Sequence, residues 1–417
     1  MKLLWLCNIA PGVVKSHITG KNVGAVNWVD HVLDGLRQQG YMIRLLCPGT
    51  GVEGCLDENC SYATFPAGKP WAYSGNTEVL FRRQICEFEP DVIHCWGTEY
   101  AHSLAMVNAA EAEGLRDKCV ISIQGLVSVY AHHFCEGLPG RLIKSFTFRD
   151  LLRWDNLSAQ VKVFSRRGVH EVQALSRCRH IIGRTDWDRS CSAWISPEAE
   201  YHFCNETLRK PFYYGAWDYG NCQKHRIFVS SCSYPVKGFH YLLEAFAQIL
   251  EAYPDTIIAV PGNDFVHLDS FKKRLREDSY HRYLRKMIQK HKMEDKILFL
   301  GKLSPEEMKE QYLLANVFAL PSTIENSPNS LGEAMLLGTP CVAADVGGVS
   351  TMMSHGTEGY IYQSTAPYML AHYIMKVFSM EEKVAAVGTA AAKHARATHD
   401  PEKNLEDLIT IYQTIAK

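Results

Sequence analysis

The chain has 417 residues, 47% of them hydrophobic and 21% charged, with a formal net charge of −1 at pH 7. That describes a globular chain with room for two domains of about 200 residues each, and charge so near neutrality excludes nucleic acid as the main partner. No apolar run reaches the roughly 18 residues a membrane span needs, and fourteen cysteines scattered without a CxxC pair predict neither zinc nor a disulfide framework, which fits a reducing cytoplasm best.

The opening MKLLWLCNIAPG is too short an apolar run for a secretory leader and reads as a buried first strand, Leu3 to Asn8. A loop from Ile9 to Val23 then leads to a helix opening at Gly24, with Ala25, Trp28, Val29, Val32, Leu33 and Leu36 on one face. Gly40 ends that helix, and a second strand spans Met42 to Cys47. A glycine-bearing loop after the first strand of a βαβ unit is where such folds place ligands, although a plain turn also fits.

Alternation continues with a helix at Thr77 to Phe88, a strand at Asp91 to Cys95, a helix near Glu99 to Ala110 and a strand at Cys119 to Ile123. Strands alternating with helices predict a parallel sheet. His94, on a strand, reads as a core group. Between Arg141 and His180 the chain carries nine Lys or Arg against three Asp or Glu, interleaved with Phe146, Phe148, Leu151, Leu152 and Trp154. Two readings stay open for residues 141–180: a packed helix with a charged face, or a basic apolar surface in contact with an anionic membrane. Asp186 and Asp188 read as a helix start with surface acids, and no metal is expected there.

The irregular stretch Tyr213 to Lys224 reads as a linker, after which a second βα series begins. Arg226 to Ser231 is a strand, and SYPVKGF leads into an amphipathic helix bearing Leu242, Leu243, Phe246 and Ile249. Lys237 stands at that helix start, where the dipole disfavours a cation unless an anion offsets it. Strands at Thr256 to Val260 and Lys296 to Leu300 follow, and helices at Ala366 to Met380, Glu382 to Thr398 and Pro401 to Ile415 close the chain.

The most informative stretch runs from Val317 to Gly348. A strand, Val317 to Leu320, stops at Pro321. Ser327 and Pro328 then read as the cap and first residue of a helix that reaches Leu337 and ends at Gly338. Glu325 and Glu333, with seven residues between them, flank this start: one on the loop, one about two turns inside and off the apolar stripe of Leu331, Ala334 and Met335. A helix N-terminus after a strand suits a diphosphate, and carboxylates beside it suit hydroxyls. Together they describe a nucleotide sugar. The residues alone equally allow two ordinary solvated acids.

The pattern of Pro321-Ser322, Glu325, Glu333 within EAMLLGTP, and Gly347-Gly348 resembles the donor-binding signature of glycosyltransferase family 4, the retaining group 1 enzymes. The resemblance implies an α/β fold of GT-B architecture, two Rossmann-like domains facing across a cleft. Residues 1–214 would form the acceptor-binding domain, with helix 399–417 packing back on it, and residues 215–398 the donor-binding domain. It implies that Glu333 holds the ribose, Glu325 lies at the donor sugar, and the backbone of Asn326, Ser327, Asn329, Ser330 and Leu331 meets the diphosphate. Lys237 and Gly238 match a Lys-Gly pair that reaches the diphosphate, but Ser231 and Cys232 stand where the family carries an Arg. Arg184 and Arg209 are the basic residues that would compensate. Gln124 stands where the family commonly has His, and Gly24, preceded by Val23, where it often has two glycines; both are expected near the donor.

The activity so implied is hexose transfer from a UDP- or GDP-linked sugar to a hydroxyl of a saccharide or lipid-linked acceptor. The configuration would be retained, Glu325 and Lys237 would carry the catalytic roles, and neither cofactor nor metal would be needed. The setting would be cell-surface polysaccharide or glycoconjugate synthesis, in the cytoplasm or peripheral on the inner face of the membrane. A phosphorylase or epimerase on the same fold, or a non-catalytic nucleotide-sugar-binding regulator, are the alternatives.

Overall fold

The computed structural model describes residues 1–21, 23 and 29–417. The expected helix start at Gly24, with Ala25 and Trp28, lies outside the described residues. The chain forms two compact units, 1–129 with 163–207 and 399–417, and 130–162 with 208–398. Residues 130–162 and 208–214 therefore group with the second unit, whereas the sequence reading placed them in the first.

The first unit is built on eight strands: β1 (Lys2–Cys7), β2 (Met42–Pro48), β3 (Glu53–Cys55), β4 (Cys60–Phe65), β5 (Val92–Trp96), β6 (Cys119–Ser122), β7 (His180–Gly183) and β8 (Glu200–Phe203). Their order is β3-β4-β2-β1-β5-β6-β7-β8, parallel except for the β3–β4 pair. The central strands read as unbroken apolar runs because a parallel sheet is covered on both faces; Leu3, Leu4, Trp5 and Leu6 are all buried. Helix Pro401–Ile415 returns to this unit, where Leu408, Ile411, Tyr412 and Ile415 join the core of Trp5, Leu33 and Leu36. His94 is a core group: it lies between the Tyr412 hydroxyl (2.5 Å) and Ser122 Oγ (2.7 Å), and burial pushes its pKa down to about 3.

Two local expectations change. The stretch read as a loop holds a helix, Gly12–Thr19, entered from Pro11 and closed by Gly20 in the left-handed conformation (φ 67°). Asp188 is not a surface acid. It is buried, receives the amides of Arg184 and Thr185 and the Tyr201 hydroxyl, and forms a reciprocal capping box with Thr185 at the start of helix Asp186–Ile195.

The second unit carries β9 (Arg226–Phe228), β10 (Ile257–Val260), β11 (Ile297–Phe299), β12 (Val317–Leu320), β13 (Cys341–Asp345) and β14 (Tyr360–Gln363), all parallel, in the order β11-β10-β9-β12-β13-β14. The order reverses between β9 and β12. At such a switch point the two outgoing loops diverge, and the crevice beyond the strand C-terminal ends is where open α/β sheets bind ligands. The loops that leave there carry Lys237 and Glu325.

Candidate donor site

Past β12 the chain runs through Pro321–Pro328 and enters helix Asn329–Leu337. Pro328 occupies the N-cap position, and no side chain caps the helix, so Ser327 does not play the capping role its sequence suggests. The reason is geometric: the helix starts one residue later than its sequence suggests, with the amides of Leu331 and Gly332 bonded to the Pro328 carbonyl. Of the residues expected to offer amides, Leu331 is thus taken and its side chain is fully buried. The Asn326 amide donates to the Tyr130 hydroxyl at 3.0 Å. Ser327, Asn329 and Ser330 are half-buried, and the amides of Asn329 and Ser330 belong to the first helical turn, which has no intrahelical acceptor.

Glu325 and Lys237 meet. Lys237 Nζ donates to Glu325 Oε1 at 2.6 Å, and Ser322 Oγ donates to the same oxygen at 2.7 Å. Burial alone would lower the lysine pKa, but the Glu325 carboxylate outweighs it and the net shift is upward, so Lys237 is cationic throughout the physiological range. The offsetting anion anticipated at this helix start is therefore, in the ligand-free chain, a carboxylate of the protein itself.

Two glycines hold this arrangement. Gly238 (φ 64°) follows Lys237 directly, and a Cβ there would sit 1.7 Å from the Pro321 carbonyl oxygen. Gly347 (φ 52°) would place a Cβ 1.7 Å from the Glu325 carbonyl oxygen. Both positions demand the left-handed backbone and leave no volume for a side chain, so the glycines press the β12 loop from two sides. Thr323 adds a third restraint, its amide bonding to the Val236 carbonyl at 2.8 Å and its hydroxyl to that of His133 at 3.0 Å.

Glu333 is nearly as buried as the core around it. Every residue from Leu331 to Leu337 is buried, so the helix has no polar stripe and Glu333 does not lie on an exposed face. Its carboxylate takes a two-pronged contact from Arg209, Nε to Oε1 at 2.6 Å and Nη2 to Oε2 at 2.8 Å, while the guanidinium packs over the Phe212 ring. Burial raises the Glu333 pKa and Arg209 opposes that shift without cancelling it. Of the two basic residues weighed as substitutes for the absent Arg, Arg209 thus joins this unit's site. At the positions of that Arg, Cys232 is buried and Ser231 shares a hydroxyl contact with Ser233 (2.9 Å).

Arg184 belongs to the first unit, where it pairs with Glu206 at 2.8 Å. Gln124 joins the same group, donating to Glu206 at 2.6 Å. At the β1/β5 switch point of that unit lies a cavity of about 290 Å³ whose walls include Asn8, Glu99, Tyr100, Gln124 and Arg167. Glu99 accepts from the Asn8 side chain at 2.8 Å. Burial pushes its pKa up to about 7, Glu171 adds to the rise, and Arg167 and nearby amides oppose it. Sequence reasoning missed this carboxyl, although its place just after β5 was the available signal. Elsewhere in the unit His180, Glu200 and His202 could hold a metal ion. The His180 Nε2 faces the Asp117 carbonyl at 3.1 Å, and that contact leaves Nδ1 as the lone-pair nitrogen, 3.0 Å from His202 Nε2.

Two doubly wound parallel sheets, with a basic and carboxylate site at the switch point of the second, define a GT-B fold. Over its full length the chain is similar in structure to sucrose-phosphate synthase from Thermosynechococcus elongatus, with a TM-score of 0.69 at 15% identity, covering 100% of this chain and 99% of that one. It is similar also to HepE of Anabaena, solved in complex with UDP-glucose, with a TM-score of 0.66 at 16% identity, covering 99% and 100%. In sequence, residues 222–394 match the family described as glycosyl transferases group 1. The putative glycosyltransferase YtcC of Bacillus subtilis is 27% identical over 199 residues, 47% of each chain, so the match spans about half the length of that relative. Residues 222–394, which match the family, contain Lys237, Glu325 and Glu333.

Proposed function

We propose that the protein is a retaining glycosyltransferase that moves a hexose from a UDP- or GDP-linked sugar to a hydroxyl of a saccharide or lipid-linked acceptor, in the synthesis of a cell-surface polysaccharide or glycoconjugate. The observation that carries this reading is the Lys237–Glu325 contact at the β9/β12 switch point, held against Gly238 and Gly347 next to the start of helix Asn329–Leu337. A diphosphate placed there competes with Glu325 for the lysine. Lys237 then offsets the charge that grows on the leaving diphosphate, helped by the amides of the first helical turn, and electrostatic stabilisation of this kind needs no reorganisation at the moment of bond breaking. Glu325, released from the lysine, orients the hexose hydroxyls. Glu333, with its lone pairs partly engaged by Arg209, takes the ribose. The leaving oxygen accepts the acceptor's proton, so no protein nucleophile and no metal is invoked. The first-unit cavity walled by Glu99 and Arg167 is the acceptor's place in this reading.

A second reading, a nucleotide-sugar binder without turnover, is favoured by Ser231 and Cys232 in place of an Arg and by Gln124 in place of a His. One experiment separates them. A thermal-shift screen against UDP, GDP and ADP and their sugars identifies the donor, because a ligand that binds only the folded state raises its apparent stability. Product formation is then followed with that donor and a panel of saccharide and lipid-linked acceptors. Transfer with retained configuration, lost in Lys237→Ala while the fold persists, supports the enzyme. Binding without turnover supports the second reading, product from donor alone points to a phosphorylase or epimerase, and no binding by any nucleotide overturns the assignment.

A further inference from the structure

The basic stretch around residue 150 is the part of the molecule that the donor site leaves unexplained. It forms three helices, Gly140–Lys144, Phe148–Arg153 and Leu157–Arg177, and the second presents its apolar side chains to solvent. Leu152 is 68% exposed and Trp154 75%, with Phe148 and Leu151 each more than half exposed. A second segment, more than a hundred residues later, lies alongside. Helix Phe271–Leu275 shares with Phe148–Arg153 an open groove of about 460 Å³, and its first residue, Phe271, is 77% exposed. Folded domains keep Trp, Phe and Leu at this exposure apart from one another; gathered on two adjacent short helices, they mark a contact surface.

The surface is firmly built. The Thr147–Asp150 capping box fixes the start of the first helix, and Asp150, fully buried, also receives the Ser279 amide at 3.0 Å, which ties this helix to the one starting at Ser279. The charges sort by direction. Asp150 and Asp155 are engaged by Arg149, Glu277 takes a two-pronged contact from Arg285 (2.7 and 2.8 Å), Asp278 caps the helix that follows, and Asp269 pairs with Lys273. Arg153, Lys272, Arg274 and Arg276 stand exposed among the apolar side chains. An apolar crest ringed by cations, with the nearby acids paired, is complementary to an interface that is apolar inside and anionic outside.

We propose that this face docks on the surface of an anionic phospholipid bilayer, with Leu152, Trp154 and Phe271 entering the headgroup region and Arg153, Lys272 and Arg276 engaging lipid phosphates. The inference is independent of the donor assignment, since no residue of the donor site takes part. No helix among the described residues is long and apolar enough to cross a membrane.

Flotation of the full chain with vesicles tests it. The expected result is binding to phosphatidylcholine vesicles containing phosphatidylglycerol, little binding to phosphatidylcholine alone, and release as salt is raised. Arg153→Gln and Arg276→Gln should each weaken binding about fivefold, the effect of losing one basic residue near a charged membrane. Leu152→Glu with Trp154→Glu should abolish binding while the unfolding temperature and the nucleotide-induced thermal shift stay at parental values. Failure of the parent to float with the anionic vesicles overturns the proposal, as does flotation of the double variant equal to the parent. A concentration-dependent dimer that the double variant loses, without vesicle binding by the parent, would assign the face to a second copy of the chain instead.

Discussion

Removing one or the other member of the Arg209–Glu333 pair has different consequences. Glu333 is almost wholly buried, whereas Arg209 keeps a third of its side chain in water. Arg209→Ala strands a carboxylate in the interior, and losing one partner of a buried pair costs about 3–5 kcal/mol. Glu333→Ala leaves a cation that can reach solvent and costs about 1 kcal/mol, but it removes the group assigned to the ribose. The expected outcome is a clear inversion: the arginine variant loses more stability in urea unfolding, the glutamate variant more nucleotide affinity. Glu99 makes a pH prediction. Its folded pKa, about 7, lies above the ordinary carboxyl value, so the folded state binds the extra proton and the stabilisation is present in acid. It is lost as pH rises from about 4.5 through 7. Glu99→Gln should therefore gain stability relative to the parent as unfolding is measured at about pH 5, then 7, then 8; parallel curves for the two proteins would rule the shift out. Sequence made Glu325, Lys237 and Glu333 visible as chemistry, through their residue types and their places beside a strand end and a helix start. It did not reveal that each carboxylate already has a cationic partner, because Arg209 and Glu333 are brought together across a long separation that no local period records.

At the scale of elements, the β12 loop depends on glycines more than on side chains. Gly238→Ala and Gly347→Ala each force a Cβ to within 1.7 Å of a backbone oxygen that cannot swing aside, in addition to a left-handed backbone. Each is expected to destabilise the second unit by 3 kcal/mol or more, roughly the upper range for single substitutions, and to abolish nucleotide binding. Gly114 is the control. It shares the positive φ (73°) but has open space about it, so Gly114→Ala should cost only about 1–2 kcal/mol and leave binding intact, as urea unfolding and a thermal-shift titration would report. The same scale shows why some elements were legible and others not. Strands such as Leu3–Leu6 and Val317–Leu320 announce themselves as apolar runs. The short β3, the mixed polar and apolar β4 and the helix Gly12–Thr19 carry no such run, and the last is signalled only by Pro11 and Gly20 at its ends. The Phe148–Arg153 helix has apolar spacing like any packed helix, so the solvent exposure of Phe148, Leu151 and Leu152 was not readable from the sequence.

For the whole molecule, a nucleotide that binds as proposed stabilises one unit directly. At a free concentration about 100 times its dissociation constant it adds roughly 2.7 kcal/mol to the unit it occupies. Hydrogen exchange of the full chain with and without the identified nucleotide should therefore gain protection within 208–398, greatest around Lys237 and residues 325–333. Protection confined to the first unit would place the donor elsewhere. The alternation of strands and helices was enough to read two parallel α/β sheets, but the assignment of 130–162 to the second unit was not readable, since nothing in its composition says which core receives it.

The first unit takes in residues 399–417, whose Leu408, Ile411 and Tyr412 lie against Trp5 and Leu33. During synthesis, which proceeds at roughly 5–20 residues per second, the sheet of that unit therefore emerges long before the helix that covers part of its core. The second unit, whose last residue is 398, can reach its full complement of chain first. The earliest-made half is then the last to receive its whole core, and until it does part of its apolar face stays uncovered.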